Sequence, residues 1–567
     1  MSAGFEATGR VTLRPPRLVM RLARLGSLHQ CRLSFMRVLL RRLQREGWQF
    51  TRPVFDIDAR GVGSAVYSAS GPARTYSLVC FAHDLPPEQR SDRVISSAWD
   101  STFTLFDGVP SEDDIARLAQ NVPKQEAGRV TSREISLSRA NRSVRLFEHV
   151  VASLAAGRQP DLERIEAVGY LMRTTAVYGS GKFGAVDREG VAARPEFAAP
   201  FQAEMLSVFL IRAFTLDLAE HLARARAPET AVRIAPALRR RFGVGNSTGL
   251  GLAPFIVNHP VLFNNWIAAR EKALARVRSL DGAGGSEVGR FCEMLARARL
   301  NARQWRSEHP LQIAKLKQLD TDLARLEAHV GSGVLREPAP WDGLYRWADK
   351  NLSLEGCEQL VSLLLEPYGD LVDDLADAMS ADEAAAFWID GAMELGRFQA
   401  IVHDVYGWAL ECDWADPVNI ARVWYVSEEK LEPRLGERFE EPIERFEQPL
   451  APGRDAAAMH RDIEAWAGEP SVAAFLLHHP EHRHIARRAQ IAARFPYAEI
   501  RDNTISATML PIDLLRCKLS FFGATHFDPR SDRWVRINMF QNAPFPHELA
   551  AADADDWTYP PLPEATR

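Results

Sequence analysis

Hydrophobic and polar positions are arranged in two different ways along the chain. Leu28, Cys31, Phe35, Leu39 and Leu43 recur at helical spacing, and Arg32, Arg37, Arg41, Arg42 and Arg45 occupy the other sides. That pattern predicts an amphipathic helix with a basic face. Runs rich in β-branched and aromatic residues follow at 48–57, 62–68 and 74–82, separated by Arg60–Gly61 and Gly71–Pro72. Breaks this short join antiparallel hairpins. A fourth strand is expected over 101–106, and after Asp107–Gly108 a helix opens at Ser111. Ser111 is a good N-cap, and Glu112, Asp113 and Asp114 put negative charge where the helix dipole favours it.

Beyond about residue 141 the period becomes helical, over 201–227, 260–280, 288–307, 313–330 and 383–411, with Gly- and Pro-containing breaks at 281–286 and 331–340. No unit repeats at a fixed period, which argues against a solenoid. Residues 432–455 are rich in Pro and Glu and read as a connector. Helical sequence then leads to a strand-like WVRINMF at 534–540, and the last twenty residues, acidic and Pro-rich, are expected to drape over the surface or fray. The expected fold is α+β and predominantly helical. It has an N-terminal helix plus antiparallel strands (1–135), a large helical body with two Gly-rich loops (136–431), the connector, and a C-terminal mixed α/β segment (456–567).

Composition narrows the class without naming a function. The 567 residues are 46% hydrophobic and 25% charged, with a net charge of −5, which excludes wholesale disorder and gives no bulk charge for nucleic acid. No apolar run approaches the roughly 18–20 residues of a membrane span. Six cysteines without a CxxC pair exclude a disulfide scaffold and point to the reducing cytoplasm. Charge is unevenly placed: the first fifty residues hold ten Arg and two acids, whereas 366–416 hold thirteen acids and only Arg397 as a base. The two segments are complementary and could dock, within the chain or across a dimer.

Three segments offer chemistry. The first, YLMRTTAVYGSGKFGAV at 170–186, places Gly179, Gly181 and Gly184 at GxGxxG spacing around Lys182. The kinase reading fails because Arg194 stands where the strand lysine belongs and no HRD or DFG follows; Phe183 after Lys182 excludes a Walker A loop, and Ala193–Arg194–Pro195 interrupts a Rossmann unit. What remains is a loop whose backbone N–H groups and lysine suit an anion. The second, at 239–260, has four glycines among Asn246, Ser247, Thr248, Asn258 and His259, just before a helix opening at Pro260. The third is the strand at 534–540, with Arg536 and Asn538 on one face and Val535, Ile537 and Met539 on the other.

From these the expected function is an enzyme of unspecified class acting on a small carboxylate- or phosphate-bearing substrate by acid–base chemistry. His259 would transfer the proton. Arg173, Thr174, Thr175, Tyr178, Gly181, Lys182, Asn246, Ser247, Thr248, Asn258, Arg536 and Asn538 would bind the substrate. One alternative is a Mg²⁺-dependent diphosphate enzyme using Asp373, Asp374 and Asp377, whose DDxxD spacing is that of helical prenyl-diphosphate enzymes. The other is a non-catalytic interaction protein using the basic helix. No cofactor is identified, nucleic acid is not expected as a partner, and a homo-oligomer is left open. No metal is expected at HHPEHRH (478–484). Pro480 breaks the local geometry, no carboxylate completes a known spacing around His482 and His484, and Arg483, Arg487 and Arg488 would repel a cation.

Overall fold

The computed structural model describes residues 11–86, 88, 98–125, 129–175, 184–185, 190–191, 193–248, 260–305, 310–377, 379, 387–416, 419, 424–426, 431–433, 448–501, 511–524, 526–528 and 535–559. Helix predominates over strand, and the main sheet mixes antiparallel with parallel pairing.

The chain enters through α1 (Phe35–Arg45), which buries Phe35, Met36, Leu39, Leu40 and Leu43. β1 (Gln49–Ile57), β2 (Gly63–Ser70), β3 (Thr75–Ala82), β4 (Ser101–Asp107) and β5 (Glu134–Arg142) then form an antiparallel meander. Between β4 and β5, α2 (Glu112–Asn121) begins with a reciprocal cap. Asp114 N–H donates to Ser111 Oγ, and Ser111 N–H donates to the Asp114 carboxylate. Leu118 of α2 packs with Val66, Val79, Phe106 and Leu137 as a small separate core on one face of the sheet.

Next come α3 (Phe147–Ala155) and α4 (Leu162–Val168). Gly169, at φ +73°, ends α4 and turns the chain straight into β6 (Tyr170–Thr174). Only glycine fits there, because a Cβ would also lie 2.1 Å from Asn538 Nδ2. After the two-residue β7 (Gly184–Ala185), paired with β5, α5 (Gln202–Arg226) crosses to β8 (Gly243–Thr248), which lies parallel to β6. α5 is buried on nearly every side through its first four turns, and Ser207 Oγ meets Ser136 Oγ of β5 at 2.9 Å. The helical body follows as α6 (Pro260–Arg278), α7 (Gly285–Gln304), α8 (Pro310–Gly331), α9 (Pro340–Asn351) and α10 (Leu354–Leu364).

A second large core belongs to α11 (Leu395–Leu410), α12 (Pro452–Glu464), α13 (Val472–His478) and α14 (Arg483–Arg494), where Phe398, Val402, Tyr406, Met459, Phe475 and Ile485 pack together. Between α11 and α12, β9 (Trp424–Val426), β10 (Leu431–Pro433) and β11 (Gln448–Leu450) make a three-stranded sheet. Finally α15 (Pro511–Phe522), β12 (His526–Asp528) and β13 (Val535–Met539) return the chain to the main sheet, whose order is β1-β2-β3-β4-β5-β6-β8-β13-β12.

Three expectations change here. A boundary at 135 would cut through β5, which sits between β4 and β6, and the C-terminal β13 is a neighbour of β8 rather than part of a separate unit. The physical reason is hydrogen bonding: the open edge of β8 needs a partner, and the C-terminal hairpin supplies it. The connector region carries the strand pairs of β9 with β10 and β11, and α12 already begins at Pro452. The tail is packed as far as Tyr559: Trp557 and Tyr559 are buried, and the Tyr559 ring stacks on His29 at 4.2 Å.

Candidate functional site

The three chemical segments meet in the main sheet. β6 and β8 are parallel neighbours, and β13 pairs antiparallel with β8, so the first segment, the second and the C-terminal strand lie side by side. Both glycine-rich stretches leave from the carboxyl ends of β6 and β8. Register aligns Asn141, Arg173, Gly245, Asn538 and His526 as one row across β5, β6, β8, β13 and β12. Residues paired in register share a face. Asn141, Arg173 and Asn538 of this row lie beneath the surface, at 2%, 6% and 1% exposure. At its centre Gly245 leaves room for the Tyr170 ring, which would lie 2.8 Å from an added Cβ. Arg536, opposite Ser247, belongs to the same face.

Asn246 does not. It pairs with Ile537 and therefore projects to the other face. There its Nδ2 donates to the Thr174 carbonyl at 2.9 Å, and its Oδ1 accepts from Lys518 Nζ at 2.7 Å. The buried chain Lys518–Asn246–Thr174 fastens α15 to the carboxyl ends of both parallel strands. Burial pushes the Lys518 ammonium down to about 7, since no carboxylate among the described residues offsets its desolvation. Lys518 escaped the sequence reading. Its signal was a lone lysine inside the apolar run LLRCKLSFF, which marks a site only once that helix is known to be buried.

The remaining candidates divide cleanly. Thr174 Oγ1 and Thr175 Oγ1 donate to the Arg139 carbonyl, so both hydroxyls hold the strand end together. Tyr178, Gly181, Lys182, Asn258 and His259 lie outside the described residues, as do the side chains of Ser247 and Thr248. Gly245 to Gly249 also spells GxSxG around Ser247. A nucleophile elbow sets its serine on a sharp strand-to-helix turn, whereas Ser247 is within β8, paired with Arg536. The row and Asn246 are separated by the thickness of the sheet, so they do not form one constellation.

Both alternatives meet counter-charges. Arg32 donates to both oxygens of the Asp373 carboxylate at 2.8 Å, and Arg276 pairs with Asp374 at 2.7 Å. These carboxylates answer arginines, an unsuitable setting for Mg²⁺. The basic helix faces inward: Arg37, fully buried, pairs with Glu366 at 2.6 Å and Asp555 at 3.1 Å, and Arg41 pairs with Asp555 at 3.0 Å. The complementarity of the basic and acidic segments is thus satisfied within one chain. Open clefts occur elsewhere, one of about 300 Å³ beside Arg41, Arg45, Asp373 and Asp377 and another of about 430 Å³ beside Arg60, Arg142 and Arg226. Among the described residues no helix is long and apolar enough to cross a membrane. Comparison with family models, curated proteins and solved structures finds no match for this chain.

Proposed function

We propose that this protein is an enzyme acting on a small carboxylate- or phosphate-bearing substrate at the carboxyl ends of β6 and β8. One observation carries the reading: two neighbouring parallel strands both run out into glycine-rich sequence at the same end of the sheet. Ligands of sheets with parallel strands bind outside those ends, and glycine lets backbone N–H groups close on an anion. In this reading Arg173, Lys182 and Arg536 supply positive charge, Asn258 orients the substrate and His259 transfers the proton, whereas Asn538, whose Nδ2 donates to the Val168 carbonyl beyond the amino end of β6, serves the fold. Lys518 lies on the far face and holds Asn246, which keeps the two strand ends in register.

The test is calorimetric titration of the full chain with inorganic phosphate and, separately, with succinate. Saturable binding of one of them is expected, weakened at least about tenfold in Lys182→Ala and in Arg536→Ala, the usual scale for losing a charge-assisted contact. Two folded variants that bind like the parent would overturn the proposal.

A further inference from the structure

We propose that Asp462, His479, Glu481 and His482 bind one divalent transition-metal ion, zinc by ligand type, which ties α12 to the turn between α13 and α14. The sequence argued against a metal because no local carboxylate completed a spacing. In the fold the fourth donor, Asp462, comes from a different helix. His479 ends α13, Pro480 opens a single 3₁₀ turn over Pro480–His482, and that turn leads directly into α14, so three donors fall within four residues. Proline is suited to the first position of such a turn, where its missing N–H costs nothing.

The four donor atoms all lie within 4.8 Å of one another. His482 Nε2 is 2.7 Å from Asp462 Oδ2 and 4.0 Å from Glu481 Oε1, and His479 Nδ1 is 3.3 Å from Glu481 Oε1. Metal–ligand bonds of about 2.0–2.1 Å at tetrahedral angles separate neighbouring donors by about 3.3–3.4 Å, a value these spacings bracket. An isolated His482–Asp462 ion pair would explain the first distance alone. It would not turn His479 and Glu481 onto the same point.

Both imidazoles are oriented before any ion arrives. The His482 ring lies parallel to Phe475, 2° between planes, and the His479 ring stacks on Phe475 at 4.9 Å and beside His482 at 6.0 Å. Ring orientation fixed by packing lowers the ordering cost of binding. Charge balances too, since two carboxylates with two neutral imidazoles cancel a dication. Of the three arginines of this segment, Arg488 pairs with Glu499 at 2.7 Å, Arg487 Nε donates to the Phe387 carbonyl, and Arg483 is exposed to solvent, which screens its charge. Four protein donors close the coordination sphere, which is the arrangement of an ion that holds structure.

The experiment is calorimetric titration of the chelator-stripped full chain with zinc chloride, alongside manganese chloride. One equivalent of zinc per chain is expected, bound more tightly than manganese. Glu481→Gln and His479→Ala, at exposed and half-buried positions, should each weaken it by more than about tenfold, while His329→Ala in the helical body leaves it unchanged. Absence of saturable zinc uptake, or uptake that survives the His479→Ala/Glu481→Gln double variant, would refute the site. Preference for manganese would refute the assignment of the ion.

Discussion

Lys518 and Glu366 show how a buried charge acts on this fold in opposite directions. The Lys518 ammonium is pushed down to about 7 from 10.5, so between those values the unfolded chain holds a proton the folded chain lacks. Stability from this group therefore rises with pH across that window, and below about 7 the folded protein carries the full penalty of a buried ammonium. Lys518→Met should abolish the rise, read as urea-unfolding free energies compared at about pH 7 and about pH 10. At Glu366, burial alone would raise the carboxyl pKa, but the Arg37 charge and hydrogen bonds from His29 and Arg37 outweigh it and hold the group well below the carboxylate range. Its stabilisation is complete above the unfolded value and fades only as pH falls through the depressed folded one. Glu366→Gln should cost up to about 3–5 kcal/mol near neutral pH, because it leaves the buried Arg37 with the Asp555 pair alone. The sequence pointed to a basic segment and an acidic one. It could not name partners such as Arg37 and Asp555, which only the closed fold brings together.

Local elements were legible where their causes are local. The four expected strands between residues 48 and 106 fall within two residues of β1 to β4, since hairpins with short turns are set by neighbouring residues. Ser111 and Asp114 announce α2 in the same way, and Ser111→Ala should cost about 1 kcal/mol in chemical denaturation. β8 was not legible. GVGNST lacks the bulky residues of a strand and reads as a loop; it is extended because β6 on one side and β13 on the other satisfy its backbone. The turn at Gly169 was also hidden, as its need for glycine comes partly from Asn538, far along the chain. Gly169→Ala should destabilise by about 1–3 kcal/mol through its positive φ and the clash. Adding Asn538→Ala should restore only the steric share, a coupling that a double-mutant cycle measures.

Across the whole molecule, chain order and spatial order diverge. The sequence divides naturally into consecutive units, yet the main sheet draws strands from residue 49 to residue 539, while α11 to α14 keep a core of their own. No composition shift could reveal that β13 belongs beside β8, because strand pairing at long range leaves no local mark. The C-terminal segment is correspondingly structural: removing residues 551–567 takes away Asp555, Trp557 and Tyr559, which should lower the melting temperature and expose apolar surface to a hydrophobic dye. Strand order also sets a timetable. β8 ends at Thr248 and its partner β13 begins at Val535. At synthesis rates of ~5–20 residues per second, the ribosome needs roughly 15–60 s to supply that partner. Throughout that interval the free edge of β8 can pair with another nascent chain. Crowded polysomes should therefore lose more of this protein to aggregates than sparse ones, and chaperones that shield the waiting edge should recover it.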